Sequence, residues 1–400
     1  MREIPLAQVL TPAPDPVPLR ADVEYQTAGI LSYGRGLFAR PVKSGLDISY
    51  STYYRLRAGQ FVYSRLFAWE GALAVVPHAF DGCFVSQEFP AFQISGGAAL
   101  PEYVGLLCRW PEVWDRMAAV VSGMGGRRKR VHPKALLSLS VPLPPLAEQR
   151  RIVDLIGAVD EAAALARASA SAAATALVSF LDDLATPSSG SVVRPTGLLA
   201  LSVGGDWGGD PGTGEVDLPV YRQTEFTDVG LLSRPAGAIR SLSVRKFEKR
   251  RLRPRDILLQ KSAGTPSLPG RVVRCPDGIE EAVPSNFLQL LRPDPAQCSP
   301  AFLFWHLWRT HRVGIALDYQ AGTNIRNLDV GRYLEREFVL PDRSEQERVA
   351  ATADELQGVM LRAVDVERAI AALRSALLAD LLSGDHEIPP SYDRFLDGVA

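Results

Sequence analysis

Two stretches of the chain decide its fold, VPLPPLAEQRRIV at residues 141–153 and VLPDRSEQERV at residues 339–349. Each contains a Leu-Pro step followed by a Glu-Gln pair, Glu148–Gln149 in the first stretch and Glu345–Gln346 in the second, 197 residues later. Each pair lies at the start of a long segment with helical periodicity. Self-similarity at a fixed period indicates that the chain consists of two copies of one large unit.

The agreement between the two copies is graded. At the offset of 197 residues, Gly125 matches Gly322 and Leu181 matches Leu378, and no gap is needed between these positions. Further upstream the register slips by a residue or two, and the side chains diverge. We therefore expect the helical part to have one role in both copies and the remainder to have a different role in each copy.

Composition favours a protein with at least two cores. The chain has 400 residues, of which 46% are hydrophobic, and this length exceeds what one core usually supports. It has no basic N-terminal region followed by an apolar stretch and no run of about 18 apolar residues, so a soluble cytoplasmic protein is expected. The cysteines form no C-x-x-C pair and are expected to be buried small hydrophobic side chains: Cys83, Cys108, Cys275 and Cys298.

Prolines and glycines divide the chain into alternating segments of two kinds. Short strand-like runs broken by glycine and proline predict β-rich mixed domains, and long proline-free stretches predict helices, so the expected fold class is α+β. The expected boundaries are a first domain at 1–145, a helix at 146–187, a second domain at 188–343, a second helix at 344–383 and a tail at 384–400.

The two long helices carry apolar or small residues at heptad spacing, with Val366 and Leu373 among those of the second helix. A helix of about forty residues is a rod about 60 Å long. Two such rods would bury their stripes most simply against each other, which predicts an antiparallel coiled-coil spacer with the two domains related by a pseudo-twofold axis. The alternative is that each helix packs on its own domain as an ordinary core element.

Motifs for catalysis are absent from the sequence. It has no Gly-rich loop with a lysine for nucleotides, no H-E-x-x-H or Cys/His metal set, no G-x-S-x-G elbow and no catalytic step of an amino-methyltransferase. We therefore expect a binding protein with no metal or cofactor of its own.

Charge is distributed unevenly, although the net charge is only −1. A glycine-containing loop with four consecutive cations suits a phosphate backbone, because glycine lets backbone amides approach an anion. The counterpart loop in the second copy replaces most of the cations by groups that can bond phosphate or base edges. The alternative is a solvated turn. The candidates are Arg127, Arg128, Lys129 and Arg130 in the first loop, and Thr323, Asn324, Arg326 and Asn327 in the second.

Polar residues after the predicted strands, and a basic segment before a turn in the second copy, supply further candidate groups for a nucleic-acid groove. The alternative for each is an ordinary surface loop. The candidates in the first copy are Tyr63, Arg65, Ser86 and Gln87, and those in the second copy are Arg250, Arg251, Lys261, Ser262 and Asn286.

The two quoted stretches, together with the order of variable domain, long helix, variable domain and long helix, resemble the repeated regions of Type I restriction-modification specificity subunits. The resemblance covers the whole chain. It implies that each variable domain is a target-recognition domain that reads one half of a split double-stranded DNA sequence, with the helix pair as the spacer.

The resemblance also implies partners. In this family the specificity subunit binds two DNA methyltransferase subunits that use S-adenosylmethionine, and the complex recruits restriction subunits that use ATP and Mg. Catalysis would lie in those partners, and the implied partner-binding residues are Glu148, Gln149, Arg151, Glu345, Gln346 and Arg348. Pro145–Leu146 of the first copy become Asp342–Arg343 in the second, so the two partner contacts are expected to differ.

Two other functions remain open from the sequence. The chain could be a coiled-coil scaffold that binds proteins, which the slightly negative net charge favours, or the recognition subunit of another phage-defence modification system. The basic loops at equivalent positions favour DNA.

Overall fold

The computed structural model of the protein describes residues 2–121, 129–183, 190–227, 229–232, 236–265 and 267–396. The chain forms two compact units. Unit 1 comprises Met1–Ala164 and Arg368–Ala400, and unit 2 comprises Leu165–Glu367. Both boundaries fall inside long helices, so each unit contains part of each helix.

Two of the described helices are long, as the predicted fold class requires. The helical region near residues 102–121 is divided at Pro111, which takes the first position of a new helix, where its missing N–H costs no hydrogen bond. The helices are α1 Pro101–Leu107, α2 Pro111–Ala119, α3 Pro133–Ser138, α4 Leu146–Asp183, α5 Val244–Arg250, α6 Pro300–Arg312, α7 Val330–Leu334, α8 Arg343–Ser383 and α9 Asp393–Leu396.

Unit 1 contains short strands in small sheets. The strands are β1 Glu3–Pro5, β2 Leu10–Pro12, β3 Pro16–Pro18, β4 Glu24–Tyr25, β5 Ala28–Ile30, β6 Leu37–Ala39, β7 Lys43–Ser44, β8 Thr52–Arg55, β9 Phe61–Tyr63, β10 Leu73–Val75, β11 Phe84–Val85, β12 Ala91–Ile94 and β13 Ser140–Pro142. The largest sheet has the order β10-β9-β12-β2, a second has the order β11-β8-β3, and three pairs are β1-β13, β4-β7 and β5-β6.

Unit 2 repeats this plan with longer strands. They are β14 Ser191–Val193, β15 Leu199–Gly204, β16 Val216–Tyr221, β17 Ala238–Leu242, β18 Ile257–Gln260, β19 Ser262–Ala263, β20 Val272–Arg274, β21 Val283–Pro284, β22 Leu288–Pro293, β23 Gln320–Ala321, β24 Arg326–Leu328 and β25 Phe338–Leu340. The sheets have the orders β15-β22-β18-β20, β17-β16-β21 and β19-β24-β23, and β14 pairs with β25 as β1 pairs with β13.

In unit 1 the start of α4 packs against the end of α8. Ile152 and Ile156 share one apolar cluster with Leu378 and Leu381, and the same cluster contains Tyr103 of α1. Arg374 adds an ion pair across the helices, with its Nη2 3.1 Å from Oδ2 of Asp160. The two helices are therefore antiparallel in unit 1.

In unit 2 the end of α4 packs against the start of α8. Leu177 and Leu181 lie in one cluster with Val349 and Ala353, together with Trp305 of α6. The two helices are therefore antiparallel in unit 2 as well. The predicted fold class is confirmed. The alternative, that each helix packs on its own domain, also holds in part, because in each unit the paired helix segments belong to the domain core.

The predicted apolar stripe is not continuous along α8. Val366 of unit 2 is 50% exposed and Leu373 of unit 1 is 56% exposed, although heptad spacing placed both on the seam. An α-helix has 3.6 residues per turn, so residues at a strict spacing of 3.5 rotate away from the seam along a long helix. The stripe prediction was therefore wrong at these two positions.

One long helix is apolar enough to meet a membrane-span criterion by length and composition. The helix Leu146–Asp182 contains a window of mean hydropathy 1.4, which by length and composition alone could cross a membrane. Its many alanines and serines keep the charge low without making a run of large apolar residues. The core helix of a soluble protein meets the same criterion.

The expectation for the four cysteines is confirmed, since all are buried.

Candidate nucleic-acid and partner interfaces

The repeated glutamine of the first copy is a core residue. Gln149 is fully buried. Its Oε1 accepts a hydrogen bond from the backbone N–H of Leu100 at 2.9 Å, and its Nε2 donates to the carbonyl oxygens of Ala98 at 2.9 Å and Pro144 at 2.8 Å. One amide therefore joins the segment before α1 to the segment before α4.

Gln346 makes the equivalent contacts in the second copy. It is buried, accepts from the N–H of Ser299 at 2.8 Å and donates to the carbonyl of Pro341 at 2.8 Å. Ser299 is the N-cap of α6, and Pro341 belongs to the Leu-Pro step. Gln149 and Gln346 were expected to bind a partner protein, and that expectation is corrected, because both amides are occupied inside the unit that contains them.

The charged residues of the two helix starts differ. Arg151 is only 12% exposed, and its Nε and Nη2 donate to both carboxylate oxygens of Asp393 at 2.6 and 2.8 Å. Arg348, its counterpart, is 55% exposed and pairs with Glu345 one turn earlier on the same helix. Glu148 is half-buried. The C-terminal tail therefore covers the first helix start.

Two further contacts fasten that tail within unit 1. Tyr392 donates its hydroxyl hydrogen to Oδ2 of Asp154 at 2.7 Å, and Ile388 is buried in the main cluster of the unit. Burial and the bond to this carboxylate raise the pKa of Tyr392 to about 12. The Arg151 guanidinium lowers the pKa of the Asp393 carboxyl.

The candidate DNA-reading loops of the two units share one backbone pattern. In unit 1 the N–H of Arg65 donates to the carbonyl of Glu88 at 2.9 Å, and the carbonyl of Arg65 accepts from Val131 at 2.9 Å. In unit 2 Lys261 makes the same two bonds, to Phe287 at 2.8 Å and from Leu328 at 2.7 Å. A cation thus occupies the same backbone position in both copies.

Unit 2 brings several predicted residues onto one small sheet. Ser262 pairs with Asn327 in the β19-β24 ladder, and its hydroxyl donates to the Asn327 side-chain oxygen at 2.5 Å. Arg326 lies beside them on β24, and Thr323 and Asn324 are exposed in the turn that links β23 to β24. This turn requires Gly322, whose φ is +105° and where a Cβ would lie 2.2 Å from a carbonyl oxygen.

Lys261 is a half-buried cation without a carboxylate partner among the described residues. Burial lowers the pKa of its ammonium group, and a Cβ on Gly204 would lie 3.2 Å from its Nζ. The carbonyl of Gly204 also accepts from Nε of Arg250 at 2.9 Å. Arg250 and Lys261 therefore approach one point of the backbone, where an anion would be attracted.

Arg251 and Asn286 behave differently from each other. Asn286 is exposed next to Phe287, whose carbonyl accepts from the N–H of Lys261. Arg251 forms an ion pair with Glu281 at 2.5 Å, and its guanidinium lies over the ring of Phe247. The structure thus leaves Asn286 open to solvent and engages Arg251 within the unit.

The unit 1 candidates surround Arg65. Its Nη2 lies 3.2 Å from Nδ1 of His132, and its Nε is buried without a hydrogen-bond partner in the described part of the chain, as is Nε of Arg326 in unit 2. Lys129 lies over the ring of Trp69, and Arg130 pairs with Glu88 at 3.3 Å.

The remaining unit 1 candidates fall into three groups. Gln87 is exposed and Ser86 is partly buried. Arg127 and Arg128 lie outside the described residues. Tyr63 needs correction, because it is fully buried and its hydroxyl donates to the carbonyl of Val131 at 3.0 Å, so its ring belongs to the core and holds the loop in place.

Sequence reasoning missed two neighbours of Lys261. The Gln289 side-chain oxygen would lie 3.7 Å from a Cβ on Gly204, and its Nε2 donates to the Ser202 hydroxyl at 2.9 Å on the exposed face of the sheet. These polar residues alternate with apolar residues on β15 and β22, and that alternation is the signal that could have indicated them. Within the described ranges, no group of His, Cys, Asp and Glu residues could hold a metal ion.

Comparisons with known proteins agree with this architecture. No family model matches the sequence, and no curated protein sequence matches it. A chain of the type I R-M system, solved in work on its complex assembly and conformational transition, is 20% identical with a TM-score of 0.62, covering 96% of this chain and 98% of that chain.

Two further solved structures are similar. The S subunit of a Type-I restriction-modification system from M. genitalium is 12% identical with a TM-score of 0.51, covering 95% of this chain and 96% of that chain. The HsdS subunit from Thermoanaerobacter tengcongensis is 20% identical with a TM-score of 0.46, covering 96% and 97%. Over nearly its whole length, the chain has the fold of Type I restriction-modification S subunits.

Proposed function

We propose that the protein is the DNA specificity subunit of a cytoplasmic Type I restriction-modification complex and has no catalytic activity of its own. Each unit would read one half of a bipartite double-stranded site. The catalysis would belong to two methyltransferase subunits that use S-adenosylmethionine and to restriction subunits that use ATP and Mg. The solved structures with the same fold support this assignment.

The observation that carries the proposal is the duplicated position of Arg65 and Lys261. Both residues make the same backbone hydrogen bonds, and each lies beside the loop that sequence analysis selected. Around this shared backbone the neighbouring side chains differ, with Glu88 and His132 in unit 1, and Phe287 and Asn327 in unit 2. A common backbone with different side chains suits two readers that approach DNA alike and recognise different bases.

The proposal assigns the cations of the first loop to phosphate contacts and the residues around Lys261 to contacts within one half-site. Lys129 of the first loop, with the neighbouring Arg127 and Arg128, would contact phosphates, which position the protein without specifying sequence. Lys261, Ser262 and Asn327 would lie close enough to one another to contact neighbouring groups of one half-site. The ammonium of Lys261 would then gain from phosphate or a base acceptor the partner that it lacks among the described residues of the unit.

The salt dependence of duplex binding tests the proposal. Alanine at Arg127, Arg128, Lys129 and Arg130 should weaken binding to all duplexes alike and should reduce the slope of log affinity against log salt by about 0.9 for each phosphate that the variant no longer binds. Arg20→Ala is the control for removal of one surface cation, because Arg20 is exposed and forms an ion pair with Asp22. An unchanged slope in the fourfold variant would refute the phosphate contact.

A further inference from the structure

Each unit contains a cleft at the equivalent place, between its strand-rich part and its long helix. The unit 1 cleft has a volume of about 600 Å³ and is lined by Gly59, His78, Pro101 and Gly157, among others. The unit 2 cleft has a volume of about 560 Å³ and is lined at the matching positions by Arg255, Asp277, Pro300 and Asp354. The repeat has therefore duplicated the cleft but changed its charge.

One of these changes, from Gly59 to Arg255, lies in a turn at the cleft edge and adds a cation. In unit 1 the N–H of Gln60 donates to the carbonyl of Arg57 at 3.2 Å, and in unit 2 the N–H of Asp256 donates to that of Arg253 at 3.2 Å. The third residue of the turn is Gly59 with φ +80° in unit 1.

In unit 2 that third residue is Arg255 with φ +67°. L side chains rarely adopt this conformation, and glycine is the residue that suits it. An arginine retained there carries a backbone strain that glycine would relieve, and such strain is common at functional positions.

Arg255 is also a cation of the unit 2 cleft that forms no ion pair with a described residue. Its side chain is exposed, and no described residue accepts a hydrogen bond from its guanidinium. The two other arginines of the cleft are engaged, Arg274 with Asp354 at 2.7 Å and Arg343 with Glu347 at 2.9 Å. The remaining wall includes the side chain of Asp277 and apolar groups of Pro300 and Phe304.

The cleft lies away from the candidate DNA loops of the same unit. Arg255 precedes β18 and Lys261 follows it, so the two residues lie at opposite ends of this strand, which is about 13 Å long at the usual rise per residue. The exposed guanidinium of Arg255 and the apolar groups of Pro300 and Phe304 fit a protein segment with a carboxylate and apolar side chains.

We propose that the unit 2 cleft docks an acidic segment of the methyltransferase partner, with a carboxylate bound by Arg255. The unit 1 cleft, which has Gly59 at this position, binds the same segment more weakly. This inference rests on the proposed function, since it names the docking residue of the partner. Charge-assisted bonds between a guanidinium and a carboxylate are strong and directional, so one residue can separate the two sites.

Arg255→Gly tests the inference without endangering the fold, because it gives the turn the residue that unit 1 already has. The probe is the methyltransferase subunit of the same restriction-modification system, titrated calorimetrically into the full-length chain. The wild-type chain should show two sites of unequal affinity, and the variant should bind about tenfold more weakly at the tighter site. Arg255→Lys, which keeps the charge, should recover part of that affinity, and Gly59→Arg should strengthen the weaker site.

Two outcomes are distinguishable. Unchanged affinity of both sites in Arg255→Gly would overturn the role of Arg255 while leaving the proposed function intact. Failure of any methyltransferase subunit to bind the wild-type chain would overturn the proposed function itself. Duplex binding by the isolated chain should be the same for Arg255→Gly and wild type, and weaker binding there would place Arg255 in the DNA interface and contradict the docking role.

Discussion

The helix starts and the candidate reading loops differ in which features the two units share. At the helix starts the side chain itself is retained, since Gln149 and Gln346 bond equivalent backbone groups. In the loops only the backbone bonds of Arg65 and Lys261 are retained, and the surrounding side chains differ. The comparison indicates that the repeated glutamine side chain maintains the fold. In the loops the backbone hydrogen bonds maintain the structure, so the side chains can differ between the units.

The largest effect should come from the buried glutamines. Gln149→Met keeps the volume but leaves two carbonyls and one N–H without their partner, and each buried unsatisfied group costs about 1–3 kcal/mol. We expect the free energy of unfolding of unit 1 to fall by about 3 kcal/mol or more, measured by chemical denaturation. Gln346→Met, which removes two bonds, should cost less.

Glu148→Gln is the matched control for these variants, because its half-buried side chain lies one position away on the same helix turn. It should unfold close to wild type. If Gln149→Met were as stable as this control, the repeated glutamine would have a role outside the fold, and the comparison between helix starts and loops would fail.

A middle-sized effect should come from Lys261. Burying an unpaired ammonium disfavours folding, so Lys261→Met should leave the unfolding free energy equal to wild type or higher. The same variant should weaken duplex binding and reduce the salt slope by about 1. Fluorescence anisotropy across a salt series measures the binding.

Arg251→Ala sharpens this prediction, because Arg251 is also a cation of unit 2 but is paired with Glu281. Its effect on the salt slope should be smaller than that of Lys261→Met. An equal effect of the two variants would mean that general positive charge, rather than the position of Lys261, determines binding.

The smallest effect should come from the tail. Asp393→Asn should lower the Tm of unit 1 only slightly, because the Asp393 carboxylate is about half exposed, but it should make Arg151 accessible to a partner. Arg151 lowers the pKa of Asp393 below 3.8, so this ion pair stabilises the fold fully above pH 3.8 and ceases to do so as the pH falls through the lower folded value. Limited proteolysis of the tail from pH 7 to pH 3 measures the release, and release at neutral pH in wild type would contradict it.

Much of the fold could be predicted from the sequence, because hydrophobic periodicity and helix-ending residues are local signals. The two long helices and their antiparallel pairing follow from such signals. The exposure of Val366 and Leu373 could not be predicted in this way, since a heptad pattern does not record where a helix rotates away from its partner.

The candidate site was predictable only in part. Loops were selected by composition, yet their meeting on the β19-β24-β23 sheet depends on pairing between positions about 65 residues apart, which has no periodic signal. Tyr63 was misplaced because a strand covered on both faces buries every side chain, including one that resembles a polar loop residue. Gln149 was misplaced because amides are usually exposed.

The most direct test of the central claim is to exchange residues 191–341 for the corresponding domain of another specificity subunit and map the modified DNA sites by sequencing. If each unit reads one half of a split site, the exchange should change one half-site and leave the other half unchanged. Alteration of both halves, or of neither, would contradict the claim that the two units read DNA independently.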